Sequence, residues 1–430
     1  MSSIAIVICV FFVLMFLGLP ISFSLGISSV AYCFVSGQLM YLYMIPEKIF
    51  TGMNNFVLLA IPLFMLTGEI MNRGGITEVI VDFCNEAVGR LRGGLGYVNI
   101  VASTLFAGIT GSALSDVAAL GSMLIPAMEK SGYDREYSTA VTAASAIQGP
   151  IIPPSIPAVL IASVTGVSTG ALFLGGAVPG VLLGIFCCIV TFFLAKKRNY
   201  PKLETKFNFI NFLKLTIRSF FPIMTPVVVL GGLLTGIFTP TEAAAVSVLY
   251  AFLVTILGFK KISLKEFTEI LRDTAMASTK VYYIIGTATV FAWVLAIENI
   301  PTKIAGFITS IAVTPMSALL FINIFLLFWG MWMDTAPSIM ILMPLLFPIA
   351  EKVGINPIHF GVVVVINLMI GLLTPPFGMA LFSAQTIGRV PLKSLLKELV
   401  PFLVADFILL ALISIFPEII LFLPRMFGLV

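Results

Sequence analysis

A run of nine residues with four prolines, GPIIPPSIP at 149–157, lies in a stretch from Tyr137 to Ala195 that has no Asp, Glu, Lys or Arg. In lipid every backbone N–H and C=O needs an internal partner, so a stretch this apolar should be helical. Proline removes a donor and clashes with the preceding helical turn. A break at such a place is tolerated only where the backbone is buried in protein or lines a cavity.

The composition of the 430-residue chain indicates a polytopic membrane protein. Hydrophobic residues make up 59% and charged residues 10%, with a mean hydropathy of +1.12. Several uncharged runs exceed the roughly 20 residues that cross a bilayer. Residues 1–46 lack the basic segment of a cleaved signal peptide, so we expect them to be retained membrane segments. The predicted fold class is an all-α polytopic membrane protein.

Several classes of function are disfavoured by the residues themselves. The net charge of +4 reflects basic loops between apolar spans, so the expected partner is the lipid bilayer and not nucleic acid. His359 is the one histidine and the five cysteines lack metal-ligand spacing, so no cofactor is expected. An intramembrane enzyme would need a nucleophile with a base or a metal, which the scattered acids do not offer.

The chain contains an internal duplication with an offset of 222 residues. PAMEKSG begins at Pro126 and PIAEKVG begins at Pro348. The same offset relates the Pro-Pro pair at 153–154 to the pair at 375–376. Glycine and proline matches are common in membrane proteins, but a Glu-Lys pair in register is not. The repeat therefore predicts two copies of one helical unit.

Each copy is predicted to hold a span, a short arm, a hairpin of two half-length helices, a broken helix and a last span. The predicted domains are N-terminal scaffold spans at 1–55, repeat 1 at 56–195, cytoplasmic loops with scaffold spans at 196–275, and repeat 2 at 276–430. The predicted hairpins are 94–128 and 315–350, and the discontinuous helices are 138–165 and 358–387. The other predicted segments are arms at about 78–92 and 301–313, repeat spans at about 56–71, 171–195, 276–297 and 399–424, and scaffold spans at about 216–237 and 242–258.

Basic residues in the loops predict that the two copies are inverted. Residues 196–218 hold seven Lys or Arg against one Glu, which places that loop in the cytoplasm. The next cytoplasmic loop, two spans later, is marked by Lys260, Lys261, Lys265 and Arg272. If each hairpin is re-entrant, five crossings separate the equivalent loops at 129–136 and 351–357. Because five is odd, one hairpin enters from the cytoplasm and the other from outside.

Paired breaks at corresponding places in inverted halves indicate the midplane site of a transporter. The breaks lie at 145–155 and 367–377, and the hairpin tips at 107–121 and 329–338. Freed carbonyls and small hydroxyls suit Na⁺, while the new helix N-termini favour an anionic substrate. The candidate residues for Na⁺ and substrate are Ser103, Gly108, Thr110, Gly111, Ser112, Ser115, Asp116, Ser145, Gly149, Pro150, Pro153, Pro154, Gly330, Trp332, Asp334, Thr335, Asn367, Gly371, Thr374, Pro375 and Pro376.

Four of the polar or aromatic residues have roles that the sequence leaves open. Asp116 and Asp334 lie deep in apolar sequence; each could cap the second helix of its hairpin or take part in ion or proton binding. Trp332 could anchor the membrane interface or face the substrate path. Lys280 is predicted near the end of a span, as an interfacial or packing residue.

The motifs GSALSDVAALGSMLIPAM (111–128), GPIIPPS (149–155) and GIFTPTEAAAV (236–246) resemble the large membrane subunit of tripartite ATP-independent periplasmic (TRAP) transporters. The resemblance covers essentially the whole chain. It implies an elevator-type secondary active transporter in the bacterial inner membrane, driven by a Na⁺ gradient and taking up an organic acid such as sialic acid or a C4-dicarboxylate.

The resemblance also implies two protein partners. One is a small four-helix membrane subunit, which we expect as a separate polypeptide, and the other is a periplasmic substrate-binding protein. The alternative is a stand-alone Na⁺-coupled or H⁺-coupled anion carrier of the same superfamily that needs no binding protein. A passive channel is disfavoured, because inverted hairpins suit alternating access.

Overall fold

The computed structural model describes residues 3–202, 208–259, 262–311 and 314–430. Over these ranges the chain forms 21 α-helices, two short 3-10 helices and no β-strand, which confirms the all-α prediction. Five helices are long and apolar enough to cross a membrane, or six if one bent pair forms a single span. The chain is an integral membrane protein.

The N-terminal segment begins with short apolar helices. Its elements are α1 (Ser3–Phe16), α2 (Ile21–Val35), a 3-10 helix (Leu39–Met44) and α3 (Ile45–Met53). The helices α1 and α2 have 14 and 15 residues and pack against each other. Each is shorter than the roughly 20 residues that span a bilayer.

The first predicted repeat has its elements in the predicted order. They are a 3-10 helix (Phe56–Leu59), α4 (Ala60–Arg73), α5 (Ile76–Val88), α6 (Gly94–Thr110), α7 (Ala113–Lys130), α8 (Arg135–Ala146), α9 (Ile156–Thr165) and α10 (Thr169–Arg198). The predicted hairpin is the pair α6 and α7, of 17 and 18 residues. At 1.5 Å per residue each is roughly 26 Å long, less than the hydrocarbon core of a bilayer. The predicted broken helix is the pair α8 and α9.

The segment between the repeats contains α11 (Phe209–Ile223), α12 (Thr225–Leu234) and α13 (Pro240–Gly258). The span predicted at about 216–237 corresponds to α11 and α12, which meet at an angle of 41°, so any span here is bent. Pro226 has no N–H to donate to the carbonyl of Pro222. The hydroxyl of Thr225 donates to that carbonyl instead, at 2.8 Å, and so stabilises the bend.

The second predicted repeat follows the same order of elements as the first. They are α14 (Leu264–Ile297), α15 (Ile300–Ile311), α16 (Pro315–Gly330), α17 (Thr335–Lys352), α18 (Pro357–Gly371), α19 (Met379–Gly388), α20 (Leu392–Ile415) and α21 (Glu418–Met426). The predicted last span at 399–424 is wrong as a single helix. The chain leaves the helical conformation at Phe416, and Pro417 precedes the first residue of α21.

The start of α14 corrects the predicted cytoplasmic loop. Lys265 and Arg272 were expected in that loop but lie within the helix. The side chain of Ser263 accepts the backbone N–H of Glu266, and the Glu266 side chain accepts the N–H of Ser263. This capping box starts the helix at Leu264. Parts of three predicted segments lie outside the described residues. They are Lys260 and Lys261 of this loop, residues 203–207 of the loop at 196–218, and residues 312–313 of the second arm.

The two predicted repeats exchange packing partners. Helix α9 packs against α17, and α19 packs against α7, so the second part of each broken helix contacts the second hairpin helix of the other repeat. The helices that precede each repeat also pack against the other repeat. Helix α13, which precedes the second repeat, packs against α4 of the first, and α2, which precedes the first repeat, packs against α14 of the second. This interlocking brings the two hairpins together.

The second hairpin and the second break meet backbone to backbone. A Cβ atom at Gly371 would lie 2.7 Å from the Cα and carbonyl carbon of Gly330. Real Cβ atoms do not approach backbone this closely, so α16 and α18 pack at their C-terminal ends only because both positions are glycine.

We expect Gly371→Ala to destabilise the protein by about 1 to 3 kcal/mol, because the added methyl group forces the two backbones apart. The control is Gly231→Ala on α12, where a Cβ atom meets no heavy atom within 4 Å. Thermal unfolding in detergent should show a lower midpoint for Gly371→Ala alone. Equal midpoints for the two variants would contradict the tight contact.

Candidate functional site

A cavity of about 330 Å³ lies where the two hairpin tips meet. Gly111 and Ser112 of the first tip line it, as do Asp334 and Thr335 of the second tip. Pro150 of the first break also lines it. The structure therefore brings five of the candidate residues to one cavity between the two repeats, and their role in binding stays a prediction.

A second cavity, of about 550 Å³, shares Asp334 with the first. Trp332 lines it next to Phe377 of the second break, with ring centroids 5.3 Å apart. The Nε1 atom of Trp332 is buried and has no hydrogen-bond partner in the described part of the chain. Both roles left open for Trp332 stay predictions.

The first hairpin tip is held against the first break by glycine. Gly111 ends α6 with φ +62°, in the left-handed region that favours glycine. A Cβ atom there would also lie 2.5 Å from the carbonyl oxygen of Pro154. The break from 147 to 155 is buried along its whole length, as non-helical backbone in an apolar chain must be.

Asp116 does not cap the second helix of its hairpin, so that reading is wrong for this residue. The N-cap of α7 is Ser112, and Asp116 lies inside the first turn, fully buried. One carboxylate oxygen accepts a hydrogen bond from the Thr110 hydroxyl. The other has no hydrogen-bond partner among the described residues and lies against Gly149, where a Cβ atom would be 2.5 Å away.

Asp334 does act as a cap. Its side chain accepts the backbone N–H of Thr335 at 2.7 Å, at the start of α17. Asp334 is only half-buried and lines both cavities. Asp116 lies ten residues before Pro126 and Asp334 ten before Pro344, so the two aspartates hold matching places once four extra residues in the second copy are counted. They nevertheless have different partners and different access to the cavities.

Each repeat ties its first hairpin helix to the first part of its broken helix through buried polar side chains. In the first repeat the hydroxyls of Ser103 and Ser145 lie 2.8 Å apart, and Ser145 also donates to Asn99 at 3.2 Å. In the second, Asn367 donates to the side-chain oxygen of Asn323 at 3.0 Å. The sequence interpretation missed Asn99 and Asn323, although a buried amide in an apolar helix is a usable signal.

The remaining candidates pack rather than line either cavity. Gly108 lies against Pro226, and the Thr374 hydroxyl donates to the carbonyl of Ile370 at 2.8 Å. Ser115 is half-buried on α7. The peptide bonds Pro153–Pro154 and Pro375–Pro376 are both cis.

The polar atoms near the tips include carboxylate and hydroxyl oxygens that could hold a hard cation. Over the residues that the structure describes, no three His, Cys, Asp or Glu side chains form a group that could hold a metal ion. One oxygen of Asp116 and the Thr335 hydroxyl are buried and have no hydrogen-bond partner in the same ranges. Carboxylate and hydroxyl oxygens are the ligands that hard cations prefer.

Lys280 of α14 was missed as a site residue and lines both cavities. It lies within α14, which begins at Leu264 and ends at Ile297, and its place near the end of a membrane span stays a prediction. A signal was present in the sequence: Lys280 is the one charged residue between Asp273 and Glu298. A lone charge at such depth is a functional candidate.

Comparison with known proteins gives a consistent family assignment. Residues 8–419 match the family model of the tripartite ATP-independent periplasmic transporter, DctM component. The chain is 41% identical to the sialic acid TRAP transporter large permease protein SiaM of Vibrio cholerae over 96% of both chains. It is 36% identical to the C4-dicarboxylate TRAP transporter large permease protein DctM of Pseudomonas aeruginosa, over 92% of this chain and 94% of that protein.

Two further similarities concern chain organisation and fold. The sialic acid TRAP transporter permease protein SiaT of Haemophilus influenzae is 38% identical, and the match covers 99% of this chain but 69% of that protein. The crystal structure of the YdaH transporter of Alcanivorax borkumensis superposes with a TM-score of 0.64 at 13% identity, over 88% of this chain and 89% of that one. This last likeness concerns the fold alone.

We expect Thr110→Val to lower the free energy of unfolding by about 1 to 3 kcal/mol, because it leaves a second oxygen of the buried Asp116 without a donor. Thr268→Val on α14 is the matched control, since its exposed hydroxyl bonds only to the Leu264 carbonyl of its own helix. The two variants are compared by thermal unfolding in detergent. A similar small effect in both would mean that the Thr110–Asp116 hydrogen bond does not stabilise the first tip.

Proposed function

We propose that this chain, which belongs to the DctM component family of tripartite ATP-independent periplasmic transporters, carries an organic acid across the bacterial inner membrane, driven by a Na⁺ gradient. The family is a transporter family and not an enzyme family. The supporting observation is the cavity lined by both hairpin tips. A site built from two tips of an interlocked pair can be opened to either side by moving the pair.

The coupling ion is proposed from the chemistry of the tips. The hydroxyl of Thr335 and one oxygen of Asp116 lie buried without hydrogen-bond partners in the described ranges, which is costly unless a cation binds there. The tip residues Gly111 and Ser112 supply further backbone and hydroxyl oxygens. These are ligands for Na⁺, and the ion would add positive charge next to the substrate.

The proposed substrate is an organic acid of the sialic acid or C4-dicarboxylate class. Relatives with these two substrates in their names are 41% and 36% identical over nearly the whole chain. The helix N-termini at the tips and after the breaks point positive dipoles toward a bound anion. The cavity is largely apolar, with few polar groups, which is typical of a site for a small organic molecule.

The proposed mechanism is an elevator movement of the two hairpins with the two broken helices. Because α9 packs against α17 and α19 against α7, these elements form one interlocked unit. The helices α1–α3 and α11–α13 lie outside it and are proposed as the fixed scaffold, to which the small membrane subunit binds. A periplasmic binding protein is proposed to deliver the substrate, and the stand-alone carrier remains the alternative.

Uptake by proteoliposomes tests the coupling. We expect the chain, reconstituted with its small subunit and binding protein, to take up radiolabelled sialic acid or succinate when an inward Na⁺ gradient is imposed. ATP should have no effect. Equal uptake with choline in place of Na⁺ would contradict Na⁺ coupling, and undiminished uptake without the binding protein would favour the stand-alone carrier.

The charges of the two tip aspartates are tested by Asp116→Asn and Asp334→Asn. Asparagine keeps an oxygen that can accept the Thr335 N–H but removes the negative charge, so folding should be preserved and Na⁺-driven uptake should fall about tenfold or more. Glu351→Gln at the exposed end of α17 is the control. Normal uptake by both asparagine variants would leave the aspartates with a structural role only.

A further inference from the structure

Lys280 lies far inside the longest helix of the described chain. At 1.5 Å per residue it is about 24 Å from the start of α14 and about 26 Å from its end. The neighbouring charges on this helix are Asp273 and Glu298. Asp273 forms an ion pair with Arg73 of α4, whereas Lys280 forms no ion pair within the described residues.

The side chain of Lys280 is exposed and lies between the two cavities. Among the described residues that line either one, Lys280 is the one cation and Asp334 the one anion. Lys280 and Asp334 are lining residues of both cavities, so both charges border the space between α14 and the second tip. The first tip contributes Gly111 and Ser112, which are neutral.

The ammonium group of Lys280 is exposed at two largely apolar cavities and has no ion-pair partner within the described residues. A charge in an apolar environment is costly unless it is paired, and Asp334 already accepts a backbone N–H at the start of α17. A substrate carboxylate in the 330 Å³ cavity would be repelled by Asp334, unless a cation on the opposite wall offset that repulsion. Lysine and carboxylate form a strong, charge-assisted hydrogen bond.

The helix that carries Lys280 contacts both the helices of the N-terminal segment and the second hairpin. On one side α14 packs against α2, α3 and α4, and on the other against α17 of the second hairpin. We propose that Lys280 binds the carboxylate of the transported acid from the α14 side of the cavity, and that it determines the selectivity for anionic over neutral substrates. This inference rests on the proposed uptake of an organic acid.

The test compares Lys280→Gln and Lys280→Arg with the control Lys265→Gln, an exposed lysine in the first turn of the same helix. Uptake of sialic acid and of succinate is measured separately in proteoliposomes with both partner proteins and a Na⁺ gradient. We expect Lys280→Gln to raise KM at least tenfold for the transported acid. Lys280→Arg should keep most of the uptake, and Lys265→Gln should match the wild type.

A second measurement separates binding from a purely structural role. The membrane complex in detergent with Na⁺, without binding protein, is unfolded thermally with and without the acid that the wild type transports. We expect the acid to raise the midpoint of the wild type but not of Lys280→Gln. If that variant does not fold, Lys280→Met replaces it, because methionine keeps the unbranched apolar part of the lysine side chain and removes only its charged end.

The outcomes distinguish the inference from the proposed function. If the wild type takes up neither acid, the proposed substrate class is wrong. Suppose instead that the wild type transports one of the acids. If the neutral Lys280 variant then has a KM within twofold of the wild-type KM, or if the acid still raises its unfolding midpoint, Lys280 does not bind the carboxylate and merely extends toward the membrane interface.

Discussion

Contact of backbone with backbone is the constraint on which the rest of this structure depends. A helix break in an apolar chain leaves N–H and C=O groups that only protein can satisfy. Gly111 lies against the Pro154 carbonyl at the first break, and Gly371 lies against Gly330 at the second. A side chain at either glycine would separate the hairpin tip from the break. The close packing of glycine against backbone therefore stabilises the broken helices, which the prolines alone would not do.

The same contacts explain why a cavity forms where it does. Because each tip is held to the break of its own repeat, and α9 and α19 pack on the hairpin of the other repeat, the two tips must face each other. The space left between them is the 330 Å³ cavity.

Much of the fold could be predicted because its signals are local. The first hairpin and broken helix, expected at 94–128 and 138–165, lie within a few residues of the observed α6 to α9. Proline position is a weaker guide: Pro126 and Pro344 lie inside continuous helices, whereas the break before Pro417 begins at Phe416. At the bend of α11 and α12 the Thr225 hydroxyl satisfies the carbonyl that Pro226 leaves free.

The chemistry of the site was harder to predict, because equal places in a repeat do not have equal surroundings. Asp116 and Asp334 look alike in the sequence, but Thr110 and Gly149 enclose the first, while the second caps a helix and lines both cavities. Among the described lining residues of the 330 Å³ cavity, both charges, Lys280 and Asp334, belong to the second repeat. The duplication thus supplies the geometry of two facing tips, and one copy alone supplies the charge. Substitutions of Lys280 or Asp334 would therefore change the charge of the cavity and leave the backbone contact of Gly111 at the first tip in place.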